Sequence, residues 1–224
     1  MAEVNKKLTK EELEEDQFLI HLMNAVSYVQ DRLGIFLGGL GVLIVAVLSI
    51  NFYQQSRQDA ELDAASLLGE ALIADQNGQT EEMIRMVKLL VETDSYAGTA
   101  EAGKGQVFLA NRLYAQGQYA EAQSHYTAYL SNYGDIDVLV YAASNGLAAC
   151  FEAQGQLLKA AEKYREYAQK NPNKMEAAAS LFEAARCYGL NGQTDIQLEI
   201  LGQITSDFPK SPVAALARQQ KEML

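Results

Sequence analysis

A chain of 224 residues that is 49% apolar, with three prolines and no tryptophan, has room for one or two domains, and its Ala, Leu, Gln and Glu bias suits helix more than strand. The formal net charge of −11 argues against a surface that neutralises nucleic-acid phosphates, because that work needs a basic stripe. Two cysteines and two histidines are too few for a disulfide scaffold or an ordinary His-rich metal site, so the expectation is an all-α protein without metal or cofactor.

The first predicted element is a helix. Thr9 and Glu12 stand at capping-box spacing, acidic residues fill the first turn, and Leu19, Leu22, Val26, Val29 and Leu33 recur on one face. This stripe suits a protein contact better than anionic lipid, because its polar face is acidic. His21 has no second ligand or catalytic partner at useful spacing and reads as a solvated or packing residue.

From Leu33 to Tyr53 the sequence carries no charge, and about 20 apolar residues are what a helix needs to cross a bilayer core of roughly 30 Å. The 32 largely polar residues before it are long for a signal-peptide n-region, and no small-x-small cleavage site follows before Gln54. A retained signal anchor is therefore expected. Lys6, Lys7, Lys10 and Arg32 precede the span and Arg57 follows it, which favours a cytoplasmic N-terminus. Gly34 and Gly38 have the small-residue spacing that lets membrane helices approach closely, and Gly41 lies in the same half of the span. A contact with another helix and the ordinary abundance of Gly in such segments both remain open there.

The remaining chain repeats itself. Gly78, Gly117, Gly155 and Gly192, each preceded by Asn or Gln and followed by Gln, lie at intervals of 39, 38 and 37 residues. In that register Ala71, Ala110, Ala148 and Ala185 precede the glycines at one position, and Tyr126, Tyr129, Tyr164, Tyr167, Leu201 and Ile204 follow in matching places. Each unit reads as two amphipathic helices with Gly at the bend, where a positive φ is easiest without a Cβ. The small Ala lets the second helix pack closely, and residues 211–224 supply a closing helix, as stacked arrays require.

These units resemble tetratricopeptide repeats. The segment 145–174, with Ala148, Gly155, Ala160, Tyr164 and Pro172, fits best; Gly134 replaces the pattern's Pro in the unit before it, Gln197 replaces an Ala in the unit after it, and the first unit, with Met83 at that place, is degenerate. The spacing exceeds the usual repeat of about 34 residues. The resemblance implies an α-solenoid of four hairpins over residues 54–224, with a groove lined from the first helix of each unit. Carried over by register, the groove positions are Leu68 and Leu72; Val107, Asn111 and Tyr114; Asn145, Ala149 and Glu152; and Phe182, Arg186 and Gly189. Ordinary packing between units is the competing reading for Tyr114 and Phe182. Of the residues with which such repeats grip a C-terminal carboxylate, only Asn111 and Arg186 match, so the expected groove is of mixed apolar and polar character. Cys150 and Cys187 occupy the same place in consecutive units, where helix-packing distances of roughly 8–10 Å exceed disulfide reach; two buried free thiols are expected.

An N-terminal helix at 1–32, a single span at 33–53 and degenerate repeats from 54 onward are together similar to the YfgM-like family, ancillary subunits of the bacterial Sec translocon. That resemblance implies a single-pass inner-membrane protein with its repeats in the periplasm. Its partners would be the secretion channel, a membrane-anchored periplasmic chaperone and emerging secreted chains. A scaffold of another envelope assembly, for division or outer-membrane biogenesis, is the alternative. His125 has no evident Ser, Cys or metal partner and no phosphate-binding Gly loop occurs, so neither catalysis nor a small-molecule substrate is expected.

Overall fold

The structure, a computed structural model, describes the backbone from Lys10 to Leu224 and all side chains in that range except those of residues 10–16, Val29, Asp31 and Phe36. The expected Thr9–Glu12 capping box, the Lys6, Lys7 and Lys10 charges and the Val29 side chain lie outside the described residues. Among the described residues all regular structure is helical. The helices are α1 (Lys10–Asp31), α2 (Leu33–Gln76), α3 (Thr80–Glu92), α4 (Ala100–Ala115), α5 (Tyr119–Asn132), α6 (Asp137–Ala153), α7 (Leu157–Lys170), α8 (Met175–Leu190), α9 (Thr194–Asp207) and α10 (Pro212–Glu222), with a short 3-10 turn at Asp94–Tyr96. The chain divides into two compact units, residues 1–57 and 58–224.

In the first unit, α1 ends at a turn on Arg32, whose carbonyl accepts a hydrogen bond from the Ile35 N–H at 2.9 Å. The stripe residues Leu19, Leu22, Val26 and Leu33 are exposed, as are the apolar side chains from Ile35 to Tyr53 that the structure describes. One helix, α2, is long and apolar enough to cross a membrane by length and composition. A Cβ added at Gly34, Gly38 or Gly41 would meet nothing within 4 Å among the described residues.

In the second unit, residues 58–76 of α2 pair with α3, then α4 with α5, α6 with α7 and α8 with α9. Each pair turns on one of the four register glycines, with φ of 76°, 77°, 74° and 79° for Gly78, Gly117, Gly155 and Gly192. The hydrogen bonding is a Schellman motif each time. In the third hairpin the Gly155 N–H donates to the Glu152 carbonyl at 2.8 Å and the Gln156 N–H to the Phe151 carbonyl at 2.9 Å. That Gln is then the residue that opens the next helix, so one glycine ends a helix and sets the direction of its successor.

The register small residues Ala71, Ala110, Ala148 and Ala185 are fully buried, as are Ala122 and Ala160 on the second helices. Core clusters run through the array: Ala64, Leu68, Leu90 and Ala102; Ala71, Met83, Val87, Leu113, Tyr126 and Tyr129; then Tyr164, Leu181, Tyr188, Ile200 and Ile204. Departures from the repeat pattern are compensated locally. Gln197, which stands in the place of an Ala, is buried because Gly189 leaves it the room a Cβ would take. Gly146 likewise admits the ring of Tyr126 from the preceding hairpin. At the end of the array Ser211 caps α10 through the Val213 N–H, and Ala214 and Ala217 bury against the fourth hairpin's core. Cys150 and Cys187 are buried and free, and burial pushes their thiols up to about 11 and about 12.

Two substitutions separate backbone strain from crowding. Gly155→Ala places a Cβ in open space but at φ 74°, so it should cost about 1 kcal/mol through strain alone, seen as a fall of about 2–4 °C in the thermal midpoint. Gly146→Ala drives a methyl into Tyr126 and should cost about 2 kcal/mol or more. Adding Tyr126→Leu should recover part of the second loss and none of the first.

Candidate functional site

Successive first helices touch one another directly, α4 against α6 and α6 against α8, whereas α5 with α7 and α7 with α9 meet marginally at most. Helices packed closely on one side and splayed on the other bend an array toward the packed side. The face of α4, α6 and α8 is therefore the inner one, and polar side chains tie it together.

The tie between the third and fourth hairpins is a bidentate ion pair. Arg186 Nη1 and Nη2 donate to Glu152 Oε1 and Oε2 at 2.8 and 2.6 Å, and Arg186 Nε donates to Glu183 at 2.7 Å. Donation from Arg186 holds the Glu152 carboxyl below the ordinary carboxylate value, against the opposing effect of partial burial, and the same bonds hold Arg186 further into its charged form. Cys187 Sγ lies 3.6 Å from Glu152 Oε2. About two turns away Ser180 Oγ donates to Asn145 Oδ1 at 3.0 Å. Between the first and second hairpins the corresponding pair is Arg112 with Asp75. Tyr126 donates from its hydroxyl to Asn111 Oδ1 at 2.6 Å.

The groove positions assigned by register fall into two groups. Asn111 is exposed, Leu72 is 39% exposed, and Tyr114, Asn145, Ala149, Glu152, Phe182, Arg186 and Gly189 are half-buried. Leu68 and Val107, at 8% and 2% exposure, belong to the core and present no surface to a partner. Leu68 shares its cluster with Leu90 of α3 and Ala102 of α4, and Val107 lies in the cluster that also holds Met83, Val87, Tyr126 and Tyr129. Tyr114 tilts against Tyr119 at 5.3 Å and Phe182 packs on the core of the last two hairpins, so both carry packing as well as surface.

Asp75 and Arg112 join this face, and Ser180 is buried beneath it; none of the three is among the positions that the repeat pattern assigns to the groove. A signal existed: Asp75 and Glu152 stand at the same distance before their turn glycines, and an Arg follows in the first helix of each next unit. Elsewhere, His125 Nδ1 lies 2.7 Å from Gln106 Oε1, and burial lowers its pKa. Among the described residues no group of three His, Cys, Asp or Glu side chains could hold a metal ion.

No protein-family model and no curated protein matches this chain. Solved structures do. A Podosopora anserina putative kinesin light chain with nearly identical TPR-like repeats is 22% identical with a TM-score of 0.55, over 72% of this chain and 84% of that one. The Q17M form of that repeat protein is 21% identical with a TM-score of 0.53, over 73% of this chain and 90% of the other. Likenesses at this identity establish the fold, an array of tetratricopeptide-like helical hairpins.

The inner-face tie should behave unlike a surface ion pair. In a double-mutant cycle with Glu152→Gln and Arg186→Met, chemical denaturation should give a coupling of about 1 kcal/mol or more, against roughly zero for the more exposed Lys163–Glu166 pair. Because the folded pKa of Glu152 is depressed, its contribution is present in full above the ordinary carboxylate value and is lost as pH falls through the depressed one. Arg186→Met should therefore flatten the acid limb of the stability profile in that window.

Proposed function

We propose that this chain is a non-enzymatic, membrane-anchored scaffold whose repeat array holds segments of other proteins. The observation that carries the reading is the inner face itself. Three first helices present half-buried polar and apolar side chains, α4 and α6 in direct contact and α6 bonded to α8 through Asn145 with Ser180 and Glu152 with Arg186, and a face held in advance lowers the ordering cost of binding an extended or helical segment. The charge-free stretch of α2, exposed along its length, supports a bilayer anchor. The Lys and Arg residues before the span support an N-terminus in the cytoplasm and the repeats in the periplasm. Gly34, Gly38 and Gly41 are the surface we assign to a neighbouring membrane helix.

Within this reading, the resemblance of the whole chain to the YfgM-like family favours one setting. The protein is an accessory subunit of the bacterial Sec translocon that links the channel with a membrane-anchored periplasmic chaperone or with emerging secreted chains. A scaffold of division or outer-membrane assembly would use the same face for other partners.

A photoreactive residue at Asn111 or Ala149 distinguishes the settings in intact cells. Channel subunits, the periplasmic chaperone and secreted precursors should appear among the crosslinked products, and a Val107 probe, buried in the core, should capture far less. Products confined to division or outer-membrane assembly proteins would transfer the protein to the other setting.

A further inference from the structure

Bending toward the first helices opens the opposite side, and the opening is not equally filled along the array. Between α5 and α7, over α6, lies a cavity of about 400 Å3. At the next junction, between α7 and α9 over α8, the equivalent space is about 180 Å3. The register shows why they differ. Leu181 stands at the second junction where Ser144 stands at the first, Phe208 stands where Asn171 does, and Pro172 stands where Gly134 does. Leu181 and Phe208 pack into the core and close the gap. Ser144 and Asn171 are too small and too polar to do so, and Asn171 turns its amide back to the Tyr167 carbonyl at 2.9 Å.

The open cavity has an apolar floor of Leu130, Val140 and Leu147 and a charged rim. Lys163 and Lys170 each reach the one carboxylate of Glu166, at 2.7 Å, which leaves one positive charge in surplus among the lining residues of a chain whose net charge is −11. Neither lysine is locked in place, since their side chains are 42% and 70% exposed. An entering carboxylate can draw both ammonium groups without displacing anything buried.

We propose that this outer cavity is a second docking site, distinct from the inner face, for a short acidic-apolar peptide segment of a partner protein: an apolar side chain seats on Leu130, Val140 and Leu147, and an adjacent carboxylate pairs with Lys163 and Lys170. A scaffold with both sites holds two polypeptides on opposite sides of one array.

The test uses the full chain in lipid nanodiscs with labelled Leu, Val and Ala methyl groups, titrated with the capped peptide Ser-Leu-Asp-Leu-Asp-Ser and with its counterpart carrying Lys for Asp. The acidic peptide should shift the methyl signals of Leu130, Val140 and Leu147 and leave Ala149 on the inner face unmoved. The basic peptide should bind about tenfold more weakly or worse. Ser144→Leu, which copies the residue that closes the neighbouring junction, should abolish the shifts. The paired Lys163→Gln and Lys170→Gln changes, at side chains outside the core, should weaken binding about tenfold and provide the reading should Ser144→Leu disturb folding. Equal binding of the two peptides, shifts that survive Ser144→Leu in a folded variant or the paired lysine changes, a response at Ala149 instead, or no shift at the three floor methyls would overturn the proposal.

Discussion

The array depends on a backbone conformation that residues with a Cβ adopt only at a cost. At each of the four hairpin turns the chain passes through a left-handed glycine, and the Schellman bonds around it consume carbonyls that the ending helix would leave unpaired. Because the residue after the glycine opens the next helix, the turn fixes where the second helix begins and which residues of it face the first. Ala71, Ala110, Ala148 and Ala185 then fall opposite their partner helices and are fully buried. The interval between turns sets the repeat, and the repeat places every contact between hairpins.

From that register follows an asymmetry with functional weight. First helices touch their successors and second helices barely do, so the two sides of the array differ in kind. On the inner side, Arg186 with Glu152 and Arg112 with Asp75 join consecutive units, and partial burial makes such pairs sensitive to loss of either member. On the outer side the second helices stand further apart, bridged by Lys88 with Glu121 and by Arg165 with Glu199, and the size of the residues at the junction decides whether space remains.

The parts of this structure legible in the sequence are those set by local chemistry. A positive-φ glycine with a matching small residue can be read without knowledge of the fold, as can a 21-residue charge-free run from Leu33 to Tyr53. Residues whose environment comes from a neighbouring unit were harder. Leu68 and Val107 occupy groove positions by register, yet both are buried in the core, because packing across helices and not spacing alone decides which positions stay open. Asp75 and Arg112 were missed for the converse reason: each is unremarkable beside its own neighbours, and only stacking brings them together. Gln197 departs from the repeat pattern, and only the neighbouring Gly189 shows how it is accommodated.

The proposed function, holding segments of other proteins, rests on the inner face of the stacked array. Amide hydrogen exchange of the intact protein in nanodiscs, free and in complexes isolated from cells, tests this claim most directly. Partner-dependent protection should fall on α4, α6 and α8, at the ends that carry Asn111, Ala149 and Arg186. Exchange on those three helices that is identical with and without bound partners would contradict it.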